Sequence, residues 1–253
     1  MTRLHTGLVQ MRCEKGAIGE NLAAIERYIA AGVKHGADIL CFPEASITGY
    51  VDPLRYPAAV LGRDDLAIAR FVQMTLGKGI TVLAGFVEAN PDGKPFITQI
   101  VAHEGQMLGW YRKRTIPDDE THLYAPDHMP GVFTCPKGAF GVAICADIEN
   151  AALFAEHAQH GARIIFEAAA PGLYGEQATR DWQAGYLWWQ GECMQHLSRY
   201  ARELGVWIAA ATQAGRTRDE DFPGGGYVFA PDGTCIHQTH DWNETVLYAD
   251  IDI

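Results

Sequence analysis

"KHGADILCFPEA" (Lys34–Ala45) has an echo later in the chain, "QHGARIIFEAA" (Gln159–Ala169). Each reads as the end of a helix, a glycine that stops it, and a short buried strand. Before the first copy, "NLAAIERYIAAGVKHG" places Leu22, Ile25, Tyr28, Ile29 and Val33 on one helical face. Before the second, "FGVAIC" reads as a strand and "AALFAEHAQHG" as a helix. The pattern predicts an α/β chain of two similar halves, each with helices packed on a sheet. The rest continues it. "TGLVQM" is a first strand, "DLAIARFVQMTLGKG" a second amphipathic helix and "ITVLAGFVEA" a strand. "FITQIVAHEGQMLGWYRK" is two strands joined by a hairpin turn at Glu104-Gly105. A long helix lies within Asp181–Leu204, and "VWIAAAT" is a strand. "GGGYVFAPDGTCIHQ" with "ETVLYADIDI" is expected to close the chain as a β-meander with a Pro-Asp-Gly turn. No Ser/Gly-rich linker interrupts the sequence, so residues 1–253 are expected to form one domain.

With 48% hydrophobic residues, the chain carries enough apolar surface for a sizeable core. A net charge of −11 argues against a general nucleic-acid binder, whose cations must neutralise phosphates. No apolar run is long enough to cross a bilayer, and the start, "MTRLHTGLVQMRC", is too short and polar for a secretory signal. A cytoplasmic protein without membrane contact is expected. The six cysteines stand singly with no CxxC pair, which disfavours a thiolate zinc site and predicts free thiols.

Three places carry candidate chemistry. In "CFPEASITGY", Glu44 follows a strand that Pro43 interrupts. It is either a solvated loop acid or a carboxylate at the strand end, where α/β sheets usually bind ligands. In "YRKRTIPDDETHLY", Arg112, Lys113 and Arg114 meet Asp118, Asp119 and Glu120. This is either a salt-bridged surface loop, worth little in energy, or a loop that sends one lysine and one glutamate into a pocket. In "GVAICADIEN", Cys145 ends an apolar run. It is either core packing or a nucleophile at a strand-to-helix turn. In the second case the helix dipole lowers its pKa, and the Ala146 N–H faces a developing oxyanion.

Taken together and in order, these motifs resemble the nitrilase superfamily of carbon–nitrogen hydrolases over nearly the whole chain. "CFPEASITGY" resembles the family's glutamate motif, "YRKRTIPDDE" its lysine motif and "GVAICAD" its cysteine motif. The lysine motif also has the family's seven-residue spacing from Lys113 to a second glutamate, Glu120. "GGGYVFAPDG" and "VLYADIDI" resemble its closing hairpin. The resemblance implies a four-layer α-β-β-α sandwich and a Glu44–Lys113–Cys145 catalytic triad. Glu44 acts as general base and Cys145 as nucleophile; Lys113 and the Ala146 N–H hold the oxyanion. Glu120 positions the substrate and Lys113. Tyr50 joins Ala146 as a substrate-binding candidate. Glu167-Ala168 stands where the family usually has an apolar residue and Pro, so Glu167 is either an extra carboxylate near the pocket, a further substrate-binding candidate, or a rim charge or salt-bridge partner of a nearby arginine. No metal or organic cofactor is implied.

The implied reaction is hydrolysis of a small linear amide or N-carbamoyl compound through a thioester. Ala146-Asp147 after the cysteine leans this way, where nitrilases usually have Trp-Glu. The alternatives are a nitrilase acting on C≡N, or a non-catalytic binding protein that kept the fold. A cysteine–histidine hydrolase is the rival on chemistry alone. His122 is then an ordinary loop residue or a substrate contact, and Arg180 a surface residue or a partner for a substrate carboxylate. The aromatics of 170–192 are expected in the core or a subunit interface, with part of the segment walling the pocket. The sequence departs from the family at Asn150, Ala151, Ala152 and Ala155, which removes a structural acid–base pair. A homodimer or larger homo-oligomer is implied. A last strand ending at Ile253 leads us to expect no carboxyl-terminal arm.

Overall fold

The computed structural model describes residues 2–253. The first half runs β1 (Arg3–Gln10), α1 (Ile18–Lys34), β2 (Ile39–Cys41), α2 (Leu66–Gln73), β3 (Thr81–Glu88), β4 (Phe96–His103) and β5 (Gln106–Arg112). The second runs β6 (Val132–Cys135), β7 (Gly138–Ile144), α3 (Ala151–Gln159), β8 (Ile164–Ala169), α4 (Trp182–Leu204), β9 (Trp207–Thr212), β10 (Ala214–Arg216), β11 (Asp221–Pro223), β12 (Gly226–Phe229), β13 (Cys235–Gln238) and β14 (Thr245–Asp252).

The echoed stretches fold alike. Gly36 and Gly161 stop α1 and α3 at φ +74° and +91°, backbone that side chains with a Cβ avoid. The next amide bonds back into each helix, Ala37 N–H to the Gly32 carbonyl and Ala162 N–H to the His157 carbonyl. The following strands, β2 and β8, lie at equivalent places in two six-stranded sheets. Their orders are β14-β1-β2-β3-β4-β5 and β13-β12-β9-β8-β7-β6. β1, β2 and β3 are mutually parallel, as are β7, β8 and β9.

Burial on both faces explains the strands' continuous apolar reading. Alternate residues of the first sheet divide between two cores. Leu40, Phe42, Val82, Ala84 and Phe86 pack under Leu22, Ile25 and Ile29 of α1 and Ile68 and Phe71 of α2. Ile39, Cys41, Leu83 and Val87 join the second sheet's Val142, Ile144 and Ala209. α3 and α4 cover the outside of the second sheet. The result is an α/β fold of two sheets flanked by helices, in the order α-β-β-α. Each large aliphatic side chain buried this way contributes about 1.5–3 kcal/mol.

The expected closing meander is a correction. β12 and β13 pair as a hairpin, but β14 leaves them and pairs antiparallel with β1, from Arg3↔Asp252 to Gln10↔Thr245. Local turn chemistry reports the hairpin; it carries no information on which distant edge the last strand completes. The hairpin at Glu104-Gly105 is present, with both residues at positive φ, as a two-residue turn between twisted strands requires. Among the described residues all six cysteines are free, and no helix is long and apolar enough to cross a membrane.

Candidate active site

Three strand ends converge. Glu44 follows β2 and is fully buried. Its turn rests on β3. The Ser46 hydroxyl accepts the Gly85 N–H at 3.1 Å, and the Ile47 N–H donates to the Gly85 carbonyl at 2.8 Å. Gly85 is required here, because a Cβ would stand 2.4 Å from the Ala45 nitrogen. Lys113 leaves β5 between two arginines, and alternation along the strand separates their directions. Arg112 bonds Glu88 and Asp127, and Arg114 bonds Glu156, while Lys113 turns inward and is 1% exposed. Its Nζ lies 2.8 Å from Glu44 Oε1. Glu44 Oε2 accepts the Ala170 N–H at 3.0 Å. Ala170 directly follows β8, so both echoed strands end on the same carboxylate.

Cys145 follows β7 at φ +46°, a left-handed conformation rare for residues with a Cβ and costing about 1–3 kcal/mol. The turn presents the thiol to a cavity of about 310 Å³ lined also by Tyr50, Lys113, Glu120 and Ala146. Its remaining wall includes Ile148, Pro171, Leu173, Tyr174, Trp188 and Trp189. Glu120 accepts a hydrogen bond from the Tyr50 hydroxyl, and its charge reaches Lys113 through space. No histidine is among the lining residues, which leaves a cysteine–histidine pair without its base; His122 is exposed outside the cavity.

The electrostatics correct one expectation. The Cys145 pKa is raised well above that of an ordinary thiol, first by burial and then by Glu44, with Lys113 opposing. The helix-dipole reading fails because Cys145 opens a five-residue 3-10 turn, Cys145–Glu149, and α3 begins only at Ala151. Burial also raises the Glu44 carboxyl, against the pull of Lys113. Burial disfavours the Lys113 ammonium, but Glu44, Cys145 and Glu120 outweigh that and hold its pKa above the usual lysine value. A neutral thiol beside a carboxylate held by an ammonium is an arrangement for proton transfer at the moment of attack.

Sequence reasoning missed the structural task of Asp147. This buried carboxylate accepts the N–H groups of Thr115 (2.7 Å), Ile144 (3.0 Å) and Arg114 (3.2 Å) and the Tyr111 hydroxyl (2.9 Å). It thereby ties the Cys145 turn to the chain just past Lys113. Asp147→Ala leaves these donors without an acceptor. At about 1–3 kcal/mol for each buried unpaired group, a loss of at least about 3 kcal/mol is expected in urea unfolding. An unchanged midpoint would contradict the clamp. The two-residue spacing from Cys145 was the available signal.

Glu167 does not line the cavity, a correction to its reading as a substrate contact. It sits in β8 between Ala143 and Ala210, fully buried, with neither carboxyl oxygen hydrogen-bonded. Burial, then Asp147 and Glu44, push its pKa well above the ordinary value. Between that ordinary value and the raised one, the native state holds a proton that the unfolded chain releases. Stability therefore falls by about 1.4 kcal/mol per pH unit as pH rises through this window. Glu167→Gln removes that slope, so the variant is expected to be the more stable at about pH 8 and closest to the parent near about pH 4. Urea unfolding across this range checks it; parallel pH profiles would refute it.

Arg180 is an internal anchor: it bonds buried Asp221 at 3.2 Å and the Leu173 and Gly175 carbonyls. It fixes the loop before α4, and its guanidinium is engaged there by Asp221. Tyr186 and Trp189 are buried, whereas Trp188 and Tyr174 are exposed at the cavity rim. The departure at 150–155 is locally compensated. Asn150 caps α3 by accepting the Leu153 N–H, and Leu153 and Phe154 fill the core. Among the described residues no cluster of three or more His, Cys, Asp or Glu side chains converges as a metal site requires.

The family model for carbon-nitrogen hydrolases matches residues 5–253. The glutamine-dependent NAD(+) synthetases of Acinetobacter baylyi and Thermotoga maritima are 26% and 27% identical over 100% of this chain. The chain spans only 45% and 43% of their lengths. An amidase from Nesterenkonia sp. superposes with a TM-score of 0.83 at 22% identity, covering 99% of this chain and 90% of that one. A variant of that amidase carries the acetamide moiety of fluoroacetamide on its active-site cysteine. The NAD+ synthetase of Acinetobacter baumannii superposes with a TM-score of 0.82 at 24% identity, covering 99% of this chain and 46% of that one. At these identities the superpositions show the shared fold.

Proposed function

The chain belongs to the carbon-nitrogen hydrolase family, and on that premise we propose that it hydrolyses a non-peptide C–N bond of a small linear amide or N-carbamoyl compound through a thioester on Cys145. The observation that carries this reading is the buried Lys113–Glu44 pair, 2.8 Å apart, at a cavity that Cys145 also lines. In the proposed reaction Glu44 takes the thiol proton as Sγ attacks the carbonyl carbon. The raised thiol pKa makes such a base necessary. The Lys113 ammonium and the Ala146 N–H receive the oxyanion, each such donor contributing about 3–4 kcal/mol. Glu44 then protonates the departing amine or ammonia, and the C–N bond breaks to leave the thioester. Water, deprotonated by Glu44, attacks the thioester, and Sγ leaves with the proton. Glu120, steadied by Tyr50, positions the substrate.

The test is ammonia release from a panel of amides, ureido compounds, glutamine and nitriles, paired with intact-mass detection of an acyl adduct on Cys145. Turnover of amides or carbamoyl compounds with an adduct supports the reading. Acid formed from nitriles alone assigns a nitrilase. No turnover and no adduct across the panel overturns the enzyme reading. The family relation also supports pairing of two copies; Leu187 of α4, outside the cavity lining, presents exposed apolar surface for it. Sedimentation equilibrium is expected to give at least twice the chain mass, and a monomer at micromolar concentration would refute the pairing.

A further inference from the structure

The charge of the cavity is one-sided. Its lining holds five carboxylates, Asp119, Glu120, Glu149, Glu192 and Glu220, against a single base, Lys113. That base is engaged by Glu44 at 2.8 Å. Glu220 is matched by Lys15, which reaches it at 2.7 Å from outside the lining. Glu120 is held by the neutral Tyr50 hydroxyl. Glu192, on α4, is ion-paired among the described residues only with His196, at 3.7 Å. Glu149, at the end of the Cys145 turn, is exposed. The lining contains no arginine and no second lysine. A substrate carboxylate entering here meets uncompensated negative charge and no free cation.

The same lining includes Trp188 and Tyr174, 43% and 84% exposed. Carboxylates sharing a cavity with exposed aromatic side chains suit an ammonium group, which is attracted by both. We infer that the site prefers amides whose distal end carries a protonated amine, and that Glu149 and Glu192 enforce this by repelling substrates that end in a carboxylate. This rests on the amide-hydrolase reading and narrows it to one charge class within that reaction.

Two parallel measurements test the inference. One is kcat/KM for matched amides with aminoethyl, propyl and carboxymethyl ends. The other is the alkylation rate of Cys145, by mass spectrometry with peptide mapping, using chloroacetamides with the same three ends. Alkylation needs access to the thiol but no acyl transfer. The expected order is cationic, neutral, anionic, with roughly 30-fold between the extremes at low salt. The span is expected to shrink several-fold at about 0.5 M salt, where screening is strong. In Glu149→Gln/Glu192→Gln the cationic-to-anionic ratio is expected to fall at least about fivefold. An anionic probe reacting as fast as the cationic one, or a ratio unmoved in the double variant, overturns the inference. So does failure of every probe to reach Cys145. Charge-ordered alkylation without hydrolysis of any amide sinks the amidase reading and leaves the charge selection standing.

Discussion

Cys145→Ala is expected to lower kcat/KM for the best amide of the panel by at least about 10⁴-fold and to abolish the mass adduct. Removing the nucleophile removes the thioester route, and what remains is oxyanion stabilisation and binding. The fold is expected to persist, because alanine carries the same Cβ at φ +46° and the turn is held by Asp147. Ammonia release and urea unfolding on the same preparation separate the two effects. Residual activity within about tenfold of the parent would remove Cys145 from the mechanism.

Lys113→Met has the second largest expected effect, and it acts on both stability and rate. It strands Glu44, a fully buried carboxylate whose remaining partners include the Ala170 N–H. Breaking one side of a buried pair costs about 3–5 kcal/mol. The group answers by taking a proton, so its pKa rises further and the proposed base is lost along with an oxyanion donor. The rate is expected to fall at least about 10³-fold. Glu44→Gln added to Lys113→Met is expected to recover part of the stability and none of the activity. If activity returns with stability, the pair is structural only. The same electrostatics set the acid limb of kcat/KM. The base must be ionised, and burial raises its pKa. Activity should therefore climb with pH through a value above that of an ordinary glutamate.

The sequence made the local pieces legible. Period and glycine stops located α1, α3, β2 and β8, because helix termination is a local backbone event. The positions of Glu44, Lys113 and Cys145 were readable as strand ends, and the order of motifs brought them together. Where two groups meet across the sandwich, the sequence was mute. Nothing near Asp147 announces that the Arg114 and Thr115 amides need an acceptor, since those donors come from the other sheet's strand end. Glu167 looked like a pocket residue because it stands near a strand end. The register beside Ala143 and Ala210 buries it instead. The thiol's pKa was misjudged for a similar reason: the turn type after Cys145 and the burial around it are tertiary outcomes.

The partnership of β14 with β1 bears on how the molecule is made. Arg3 finds Asp252 and Gln10 finds Thr245, so β1 is matched by a strand made only after everything between the two. At synthesis rates of about 5–20 residues per second, β1 waits on the order of ten seconds or more for its antiparallel neighbour. During that time its outer edge offers free backbone N–H and C=O groups to any other strand. Pairings of such long sequence separation also place the chain among slow folders. The nascent protein thus carries an unpaired β1 edge, open to association with other strands, until residues 245–252 emerge.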